Sequence, residues 1–281
     1  MPRLPIEVLA GDARSIPGLA DGSVHLVVTS PPYPKIPQWD ALFAALGATT
    51  YPAMHRVLED AYRECFRVLV DGGLLALNIG DAVRSDAEGF RLWPNHVTAT
   101  EAAERTGFRP LPYVLWKKPM NKPNAFLGSG FLPPNAYVTL DCEFVLLFRK
   151  GGVRRFRPHD PVRAASRYDR SERDAWFSQL WEGIRGVRQG PGTARTGAFP
   201  PEIPERLIRM FSCVGETVLD PFAGTGTTLW AAHRLGRRAI GVEIDPARAE
   251  ALRRRAERTD AGPTRRREAV PGGRAPRRPR A

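Results

Sequence analysis

Residues 219–228 read LDPFAGTGTT, and this stretch decides the fold. It connects a predicted strand that ends at Asp220 to a predicted helix that begins at Thr227. Gly224 and Gly226 allow the backbone between them to turn sharply and to approach a ligand closely. The pattern of strand, glycine-rich turn and helix therefore predicts a binding site at this strand end.

Glu243 indicates what this site binds. It closes the next predicted strand, residues 239–242, where a carboxylate can accept hydrogen bonds from ribose hydroxyls. The loop before it has no third glycine at the usual offset and no Gly-Lys-Ser/Thr sequence, so it departs from loops that bind phosphate groups. We therefore predict a site for a nucleoside that carries no pyrophosphate.

Residues 29–33 read TSPPY and follow the apolar run 24–28, a predicted buried strand. The exocyclic amine of cytosine or adenine is a poor nucleophile because its lone pair is delocalised into the ring. The Ser30 hydroxyl and the Pro31 carbonyl can each accept one N–H, and a proline fixes φ so that this carbonyl needs little further ordering. Tyr33 offers a flat face for stacking a base that has left the duplex.

Predicted strands and helices alternate along the chain, which indicates an α/β fold with a mostly parallel sheet and helices on both faces. Ligands of such sheets bind beyond the carboxyl ends of the strands. Because Ser30, Asp220 and Glu243 stand at three strand ends, we expect them to share one crevice. The other predicted strands are residues 6–9, 74–79, 113–116 and 143–148, and the other predicted helices are residues 52–70, ended by Asp71-Gly72-Gly73, and 95–106.

The net charge of +12 is concentrated in two arginine-rich segments, residues 151–190 and 253–281. Arginine contacts to phosphate groups release counterions, so this distribution indicates a polyanionic partner. For the second segment, a solvated arginine run without a partner is an equally good interpretation. The candidates for contacts to phosphate or guanine are Arg154, Arg155, Arg157, Arg163 and Arg167.

The three cysteines bear on compartment and metal binding. Cys65, Cys142 and Cys213 form no C-x-x-C pair, so the sequence predicts no metal site, and their odd number favours reduced, buried thiols. No apolar run approaches the ~20 residues that span a bilayer. The first five residues do not resemble a secretory signal. We therefore expect a cytoplasmic protein with no membrane contact.

The SPPY motif at residues 30–33 together with DPFAGTGTT at residues 220–228 resembles the amino-methyltransferase family of bacterial and archaeal DNA modification enzymes. The catalytic motif precedes the cofactor motif, an order that resembles the circularly permuted beta class. The resemblance covers residues 5–250, apart from the arginine-rich segment within them. Further matching motifs are Gly11-Asp12, residues 67–73, Trp116-Lys117-Lys118-Pro119, and Phe199-Pro200 ahead of Ile203-Pro204.

This resemblance implies a Rossmann-like, circularly permuted sheet that binds S-adenosylmethionine. Glu243 would hold the ribose, and Asp12 would face the adenine amine of the cofactor. Phe199 and Pro200 would flank its methionine end, close to Thr196, which stands where many relatives have a histidine. The remaining cofactor-binding residues would be Asp220, Pro221, Phe222, Gly224, Gly226 and Thr227, and the flipped target base would be held by Ser30, Pro31, Pro32 and Tyr33.

The same resemblance divides the chain into four parts. Residues 1–150 would form the catalytic half, residues 151–190 a small basic target-recognition region, and residues 191–257 the cofactor-binding half. Residues 258–281 would be a disordered basic tail. The implied partner is double-stranded DNA. A homodimer and a cognate restriction endonuclease are compatible with the class, although the sequence by itself indicates neither.

Ser30 also bears on the target base. Family members with serine in this motif most often methylate N4 of cytosine, and those with aspartate more often N6 of adenine. We therefore predict a site-specific cytosine-N4 methyltransferase, with adenine N6 as the alternative. Methylation at carbon 5 needs a thiolate nucleophile, usually a cysteine after a proline, and no cysteine here follows a proline. RNA or protein methyltransferases of similar motif usually carry the cofactor motif first, and the intact motifs disfavour a non-catalytic DNA-binding protein.

Overall fold

The computed structural model describes residues 4–87, 89–119, 138–186 and 197–260. Its strands are β1 (Ile6–Ala10), β2 (Val24–Thr29), β3 (Leu69–Ile79), β4 (Ala82–Asp86), β5 (Gly89–Trp93), β6 (Arg109–Lys117), β7 (Cys142–Arg149), β8 (Leu180–Trp181), β9 (Thr217–Asp220) and β10 (Arg238–Glu243). Its helices are α1 (Asp40–Ala45), α2 (Tyr51–Val68), α3 (Asn95–Arg105), α4 (Pro161–Ala165), α5 (Arg170–Trp176), α6 (Glu202–Phe211), α7 (Thr227–Arg234) and α8 (Pro246–Asp260).

Eight of these strands form one sheet in the order β1-β10-β9-β2-β3-β7-β6-β8. The strands from β1 to β3 in this order pair in parallel, β7 runs antiparallel to both of its neighbours, and β8 is parallel to β6. We call the edge at which the parallel strands end the carboxyl edge and the opposite one the amino edge. The predicted α/β fold with a mostly parallel sheet is confirmed.

Strands β2 and β9 are neighbours in the sheet although they are far apart in the sequence. Leu26 pairs with Val218, and Val27 pairs with Leu219. All four side chains are buried, as expected for parallel strands that are covered on both faces. Because the two strands run in the same direction, the segments that follow them emerge side by side at the carboxyl edge.

Helices cover both faces of the sheet. On one face, α6, α7 and α8 contribute Leu207, Leu229 and Leu252 to a shared apolar core with the sheet. On the other face, α1 and α2 contribute Phe43 and Leu58 to a second core, together with alanines of α3. The sheet is therefore the middle layer of three, so ligands can reach it only at its edges.

The predicted end of the second helix at residues 71–73 is wrong, because α2 ends at Val68 and these residues lie inside β3. Gly72 has a φ of +76°, and its N–H donates to the Lys150 carbonyl at 2.7 Å. A Cβ at this position would lie 2.5 Å from the Arg154 Cγ. Gly72 therefore allows the close approach of the segment that follows β7.

Other elements were not apparent from local patterns. The hairpin of β4 and β5 carries charged residues on both strands and lacks a clean alternation of apolar and polar residues. Its anchor is the buried Trp93, whose Nε1–H donates to the Arg84 carbonyl at 3.1 Å. Helix α8 continues to Asp260, so the predicted tail begins later than residue 258. Residues 261–281 lie outside the described part of the chain.

Cys65 and Cys213 are buried free thiols, whereas Cys142 is partly exposed and the prediction of burial is wrong for it. Among the described residues, no group of histidine, cysteine and acidic side chains could hold a metal ion. None of the described helices is long and apolar enough to cross a membrane.

Candidate active site

The two sequence motifs meet at the carboxyl edge. Thr29, the last residue of β2, donates its hydroxyl hydrogen to the Asp220 Oδ1 at the end of β9, at 2.6 Å. The same oxygen accepts the Phe222 N–H at 3.1 Å. Asp220 is only 3% exposed, so this contact fastens the segment that bears Ser30 to the segment that bears the glycine-rich turn.

A cavity of about 290 Å³ opens beside this contact. Most of the predicted site residues line it: Asp12, Ser30, Pro32, Phe199, Asp220, Pro221, Phe222, Gly224, Thr227 and Glu243. The other four predicted residues, which are Pro31, Tyr33, Pro200 and Gly226, are not part of its described lining. Proximity at the carboxyl edge was predictable, but the orientation of each side chain was not.

Part of the cavity wall comes from residues that no motif indicated: Gln38, Trp39, Leu42, Leu46 and Val57. They belong to a 3₁₀ turn after the SPPY segment and to α1 and α2. Gly197 packs on this wall so closely that a Cβ there would lie 2.7 Å from the Trp39 ring. This contact joins segments that are far apart in sequence. The apolar character of the wall residues was therefore the only sequence signal for it.

Glu243 is held in place at the end of β10. Its Oε2 accepts the Gly224 N–H at 2.9 Å, and its Oε1 accepts the Asp245 N–H at 3.0 Å. The side chain is 6% exposed and lines the cavity. A carboxylate oxygen can accept more than one hydrogen bond, so both oxygens retain capacity for ligand hydroxyls.

Asp12 also lines the cavity, two residues after the end of β1, the strand that pairs with β10. The Arg14 Nε–H and Nη2–H donate to its carboxylate at 3.0 and 2.7 Å. Burial raises the pKa of Asp12, but the hydrogen bonds from Arg14 outweigh it and hold the pKa below its usual value. Asp12 therefore faces the cavity as an ionised acceptor.

The described lining favours a ligand that is hydroxylated and cationic over one that carries phosphate. Its two arginines are already paired, Arg14 with Asp12 and Arg248 with Asp245, and it contains no lysine. Glu243 has no cationic partner among the described residues, while Pro221 and Phe222 add an apolar surface. This set of groups fits S-adenosylmethionine, which combines a ribose, an adenine and a positively charged sulfonium and amine.

The two glycines of the turn have different roles. Gly224 has a φ of +54° and lines the cavity, and a Cβ there would make only an ordinary van der Waals contact, 3.7 Å from the Phe222 carbonyl oxygen. Gly226 has a φ of +80°, and a Cβ there would lie 2.8 Å from the Trp230 Nε1 and from the Leu252 Cδ2. Gly226 is not part of the described lining, and its missing side chain allows α7 and α8 to pack together, so its place in the cofactor site stays a prediction.

We expect Gly226→Ala to lower the free energy of unfolding by about 2–4 kcal/mol. The alanine would have an unfavourable positive φ, and its Cβ would clash with Trp230 and Leu252. Gly224→Ala should cost only about 1 kcal/mol, since its positive φ is the main penalty. Urea unfolding of both variants measures this difference. Equal losses would mean that helix packing does not explain Gly226.

Asp220 should make stability depend on pH. Burial raises its pKa from 3.8 to about 6. Between these values the folded carboxyl group keeps a proton that the unfolded chain has released, so stability falls as the pH rises through this window. In Asp220→Asn, the amide oxygen can still accept from Thr29 and Phe222 without becoming charged.

We therefore expect Asp220→Asn to exceed the wild type in unfolding free energy by up to about 3 kcal/mol at about pH 7.5, and to match it at about pH 4. Urea titrations at the two pH values test this. A difference that does not change with pH would show that Asp220 is already ionised at little cost in the folded protein.

Side chains of the SPPY segment are hydrogen-bonded to residues of two other strands. The Tyr33 hydroxyl lies 3.0 Å from the Ser30 Oγ, and it donates to the Glu143 Oε2 at 3.0 Å. Asn78, at the end of β3, donates its Nδ2–H to the same hydroxyl at 2.7 Å. Burial, followed by the charge of Glu143, raises the pKa of Tyr33 well above its usual value. The Tyr33 hydroxyl is thus fully hydrogen-bonded, the stacking of a base on its ring stays a prediction, and no motif indicated Asn78 or Glu143.

The arginines predicted to contact DNA begin at the amino edge. The Arg154 guanidinium is paired with Glu216, at the start of β9, and its backbone lies against Gly72. Arg154 thus has a structural partner that the sequence did not indicate, which disfavours the predicted contact with DNA. Arg163 stacks on the Phe156 ring, as Arg154 does.

The residues that follow Arg154 also lie near the amino edge. The Ser166 Oγ accepts the Val214 N–H at 2.8 Å, next to exposed Arg167. Arg155 and Arg157 are exposed as well. Strand β2 spans about 20 Å from this edge to the residue before Ser30. These arginines therefore lie away from the cavity, and the segment returns to the carboxyl edge only at β8, beside β6.

Comparisons with known proteins agree with this geometry. Residues 24–254 match the model of the N6/N4 DNA methylase family. The Type II methyltransferase M.MjaI of Methanocaldococcus jannaschii is 53% identical over 263 residues, which cover 85% of this chain and 87% of that protein. M.MthZI of Methanothermobacter thermautotrophicus, also a Type II methyltransferase, is 44% identical over 246 residues, or 81% and 69% of the two chains.

A solved structure has the same fold. TTHA0409 of Thermus thermophilus, in complex with S-adenosyl-L-methionine, superimposes with a TM-score of 0.73 and is 36% identical, covering 91% of this chain and 96% of that one. The family match extends over both the SPPY segment and the glycine-rich turn that meet at the cavity. The chain therefore belongs to the N6/N4 DNA methylase family and is a DNA methyltransferase.

Proposed function

We propose that this chain methylates the N4 amine of cytosine in double-stranded DNA, at a specific sequence and on a base flipped out of the duplex. The observation that carries the proposal is the position of Ser30, which lines the cavity directly beside the site that fits S-adenosylmethionine. Members of this family use that cofactor. The printed names of M.MjaI and M.MthZI support a place in a Type II restriction–modification system.

The residues of the chain would prepare the amine for attack. When bound, S-adenosylmethionine supplies a methyl group that its positively charged sulfur activates. The Ser30 Oγ and the Pro31 carbonyl would accept the two N–H groups of the target and draw its nitrogen towards a tetrahedral geometry. The lone pair is then available at the nitrogen, and holding it in line supplies much of the rate enhancement. Glu243 and Asp12 would fix the cofactor at its ribose and adenine.

The order of the two motifs supports a circularly permuted, beta-class chain, with residues 1–150 as the catalytic half and residues 191–257 as the cofactor half. Because the target base must reach Ser30, DNA would approach the carboxyl edge. Within residues 151–190 we therefore propose that residues 180–186, which begin with β8 and lie at this edge, come closest to the bases. Exposed Arg155, Arg157, Arg163 and Arg167 would contribute at most distant phosphate contacts.

The second candidate is methylation of adenine N6, because the same two acceptors suit that amine. Mass spectrometry of nucleosides decides between them, after DNA free of methylation is treated with the protein and S-adenosylmethionine. N4-methylcytosine is the expected product. N6-methyladenine would overturn the choice of base, and neither product on DNA of varied sequence would overturn the proposed function. A homodimer and a cognate endonuclease remain proposals that sedimentation and the neighbouring genes would test.

A further inference from the structure

A chain of hydrogen bonds runs from Ser30 away from the cavity. The Ser30 Oγ contacts the Tyr33 hydroxyl at 3.0 Å, and that hydroxyl contacts the Glu143 Oε2 at 3.0 Å. Asn78 donates its Nδ2–H groups to both the Tyr33 hydroxyl and the Glu143 Oε2, each at 2.7 Å. The Lys118 ammonium donates to the other carboxylate oxygen, Oε1, at 2.7 Å. Every link is made by side chains, and in the Ser30–Tyr33 contact either hydroxyl could be the donor.

The chemistry of each group determines which of the two hydroxyls donates. An ionised carboxylate can only accept, so the single hydroxyl hydrogen of Tyr33 is donated to Glu143. Tyr33 then has no hydrogen left for Ser30, and its oxygen must accept the hydrogen of the Ser30 hydroxyl. The raised pKa of Tyr33, which burial causes, keeps that hydroxyl protonated throughout the neutral range. The lone pairs of the Ser30 Oγ are consequently left to face the cavity.

We propose that Glu143, acting through Tyr33, is a positioning residue that holds the Ser30 hydroxyl as a hydrogen-bond acceptor for the target amine. The inference rests on the proposed function and adds to it a device that orients the Ser30 hydroxyl. The SPPY motif contributes only Ser30 and Tyr33 to this device, since Glu143 lies on β7 and Lys118 follows β6.

The need for such a device follows from the chemistry of serine. A hydroxyl is both a donor and an acceptor, and it rotates to suit its neighbours. If its hydrogen pointed at the target nitrogen, it would bind the lone pair that must attack the methyl group. An aspartate in the same place would be an acceptor without any help. A serine performs the same task only when another group takes its hydrogen, and the Tyr33–Glu143 pair does so here.

Lys118 and Asn78 keep the acceptor in place. Lys118 balances the charge of Glu143, whose side chain is 15% exposed, at a distance that favours a charge-assisted hydrogen bond. Asn78 is 1% exposed, and its amide bridges the Tyr33 hydroxyl and the Glu143 carboxylate. A Cβ at Gly80 would lie 3.2 Å from both the Tyr33 ring and the Glu143 Cγ, so the missing side chain of Gly80 allows both residues to pack closely against it.

The test compares Tyr33→Phe and Glu143→Gln in two backgrounds, the wild type and Ser30→Asp. Single-turnover rates are measured with saturating S-adenosylmethionine and DNA, together with cofactor affinity and melting temperature. In the wild-type background we expect Tyr33→Phe to lower the rate about 100-fold. We expect about 10-fold for Glu143→Gln, because the Asn78 amide can rotate and partly replace the carboxylate. The matched control is Glu216→Gln, which removes an ion-paired carboxylate at the amino edge and should leave the rate unchanged.

In the Ser30→Asp background the carboxylate at position 30 has no hydrogen that another group must accept. Each of the two substitutions should therefore change the remaining rate by less than about threefold. Losses equal in both backgrounds would show a purely structural role and overturn the inference. So would a wild-type rate for both single variants, or complete inactivity of Ser30→Asp with normal cofactor binding. The wild-type product reports on the proposed function separately: if the wild type methylates DNA while these ratios fail, only the inference is lost.

Discussion

Ser30→Ala lowers the single-turnover rate of methyl transfer by about 100-fold or more, because it removes one of the two acceptors proposed for the target amine. The affinity for S-adenosylmethionine stays within about threefold of the wild type, since the interaction is made with the base and not with the cofactor. Asp12 and Glu243, which are the residues proposed to hold the cofactor, lie at the ends of other strands. Rapid quenching with labelled cofactor measures the rate, and calorimetry measures the affinity.

The matched control is Ser166→Ala, which removes a serine hydroxyl at the amino edge, where it accepts the Val214 N–H. This variant should lose some stability and retain the rate of the wild type. A Ser30→Ala enzyme that is as fast as the wild type would assign the acceptor to another group. A loss of cofactor affinity that matches the loss of rate would place Ser30 in the cofactor site instead.

Glu243→Ala has the second large effect, on the cofactor. We expect its dissociation constant for S-adenosylmethionine to rise by about 100-fold, because hydrogen bonds to a charged acceptor contribute about 1.5–3 kcal/mol each. The substitution also frees the Gly224 and Asp245 N–H groups that now anchor the two loops of the cavity. Calorimetric titration of the protein without DNA measures the change.

Glu7→Ala is the control for this variant, because Glu7 lies on β1 and forms an exposed ion pair with Arg238 outside the cavity. Its cofactor affinity should equal that of the wild type. If Glu243→Ala binds S-adenosylmethionine normally, the cofactor lies elsewhere, and the assignment of this cavity fails. If affinity falls in both variants, the loss reflects general destabilisation.

Strand ends were the most predictable feature, for a local reason. β2 and β9 are short apolar runs, and each is followed within two residues by a proline that cannot continue a central strand, Pro31 and Pro221. Burial of such runs requires a sheet covered on both faces, which indicates the α/β class. The positions of Ser30, Asp220 and Glu243 at one edge follow from that class alone.

Side-chain roles were less predictable, because they depend on neighbours distant in sequence. Gly226 looked like a ligand-facing glycine, but Trp230 and Leu252 occupy the space beside it. In the sequence Arg154 looked like a free cation, but in the fold its guanidinium is paired with the Glu216 carboxylate. Composition records a charge, but only packing shows whether that charge is already paired.

The sequence by itself determined the α/β class, the two motifs at their strand ends and the family to which they belong. Only the tertiary structure decided the order of the strands, the wall that Trp39 adds to the cavity, and the link between Tyr33 and Glu143, which are 110 residues apart. The physical reason is range. Apolar runs, glycines and prolines report what the backbone does over a few residues, whereas the direction of one hydroxyl hydrogen depends on which side chains the folded sheet brings within 3.0 Å of it.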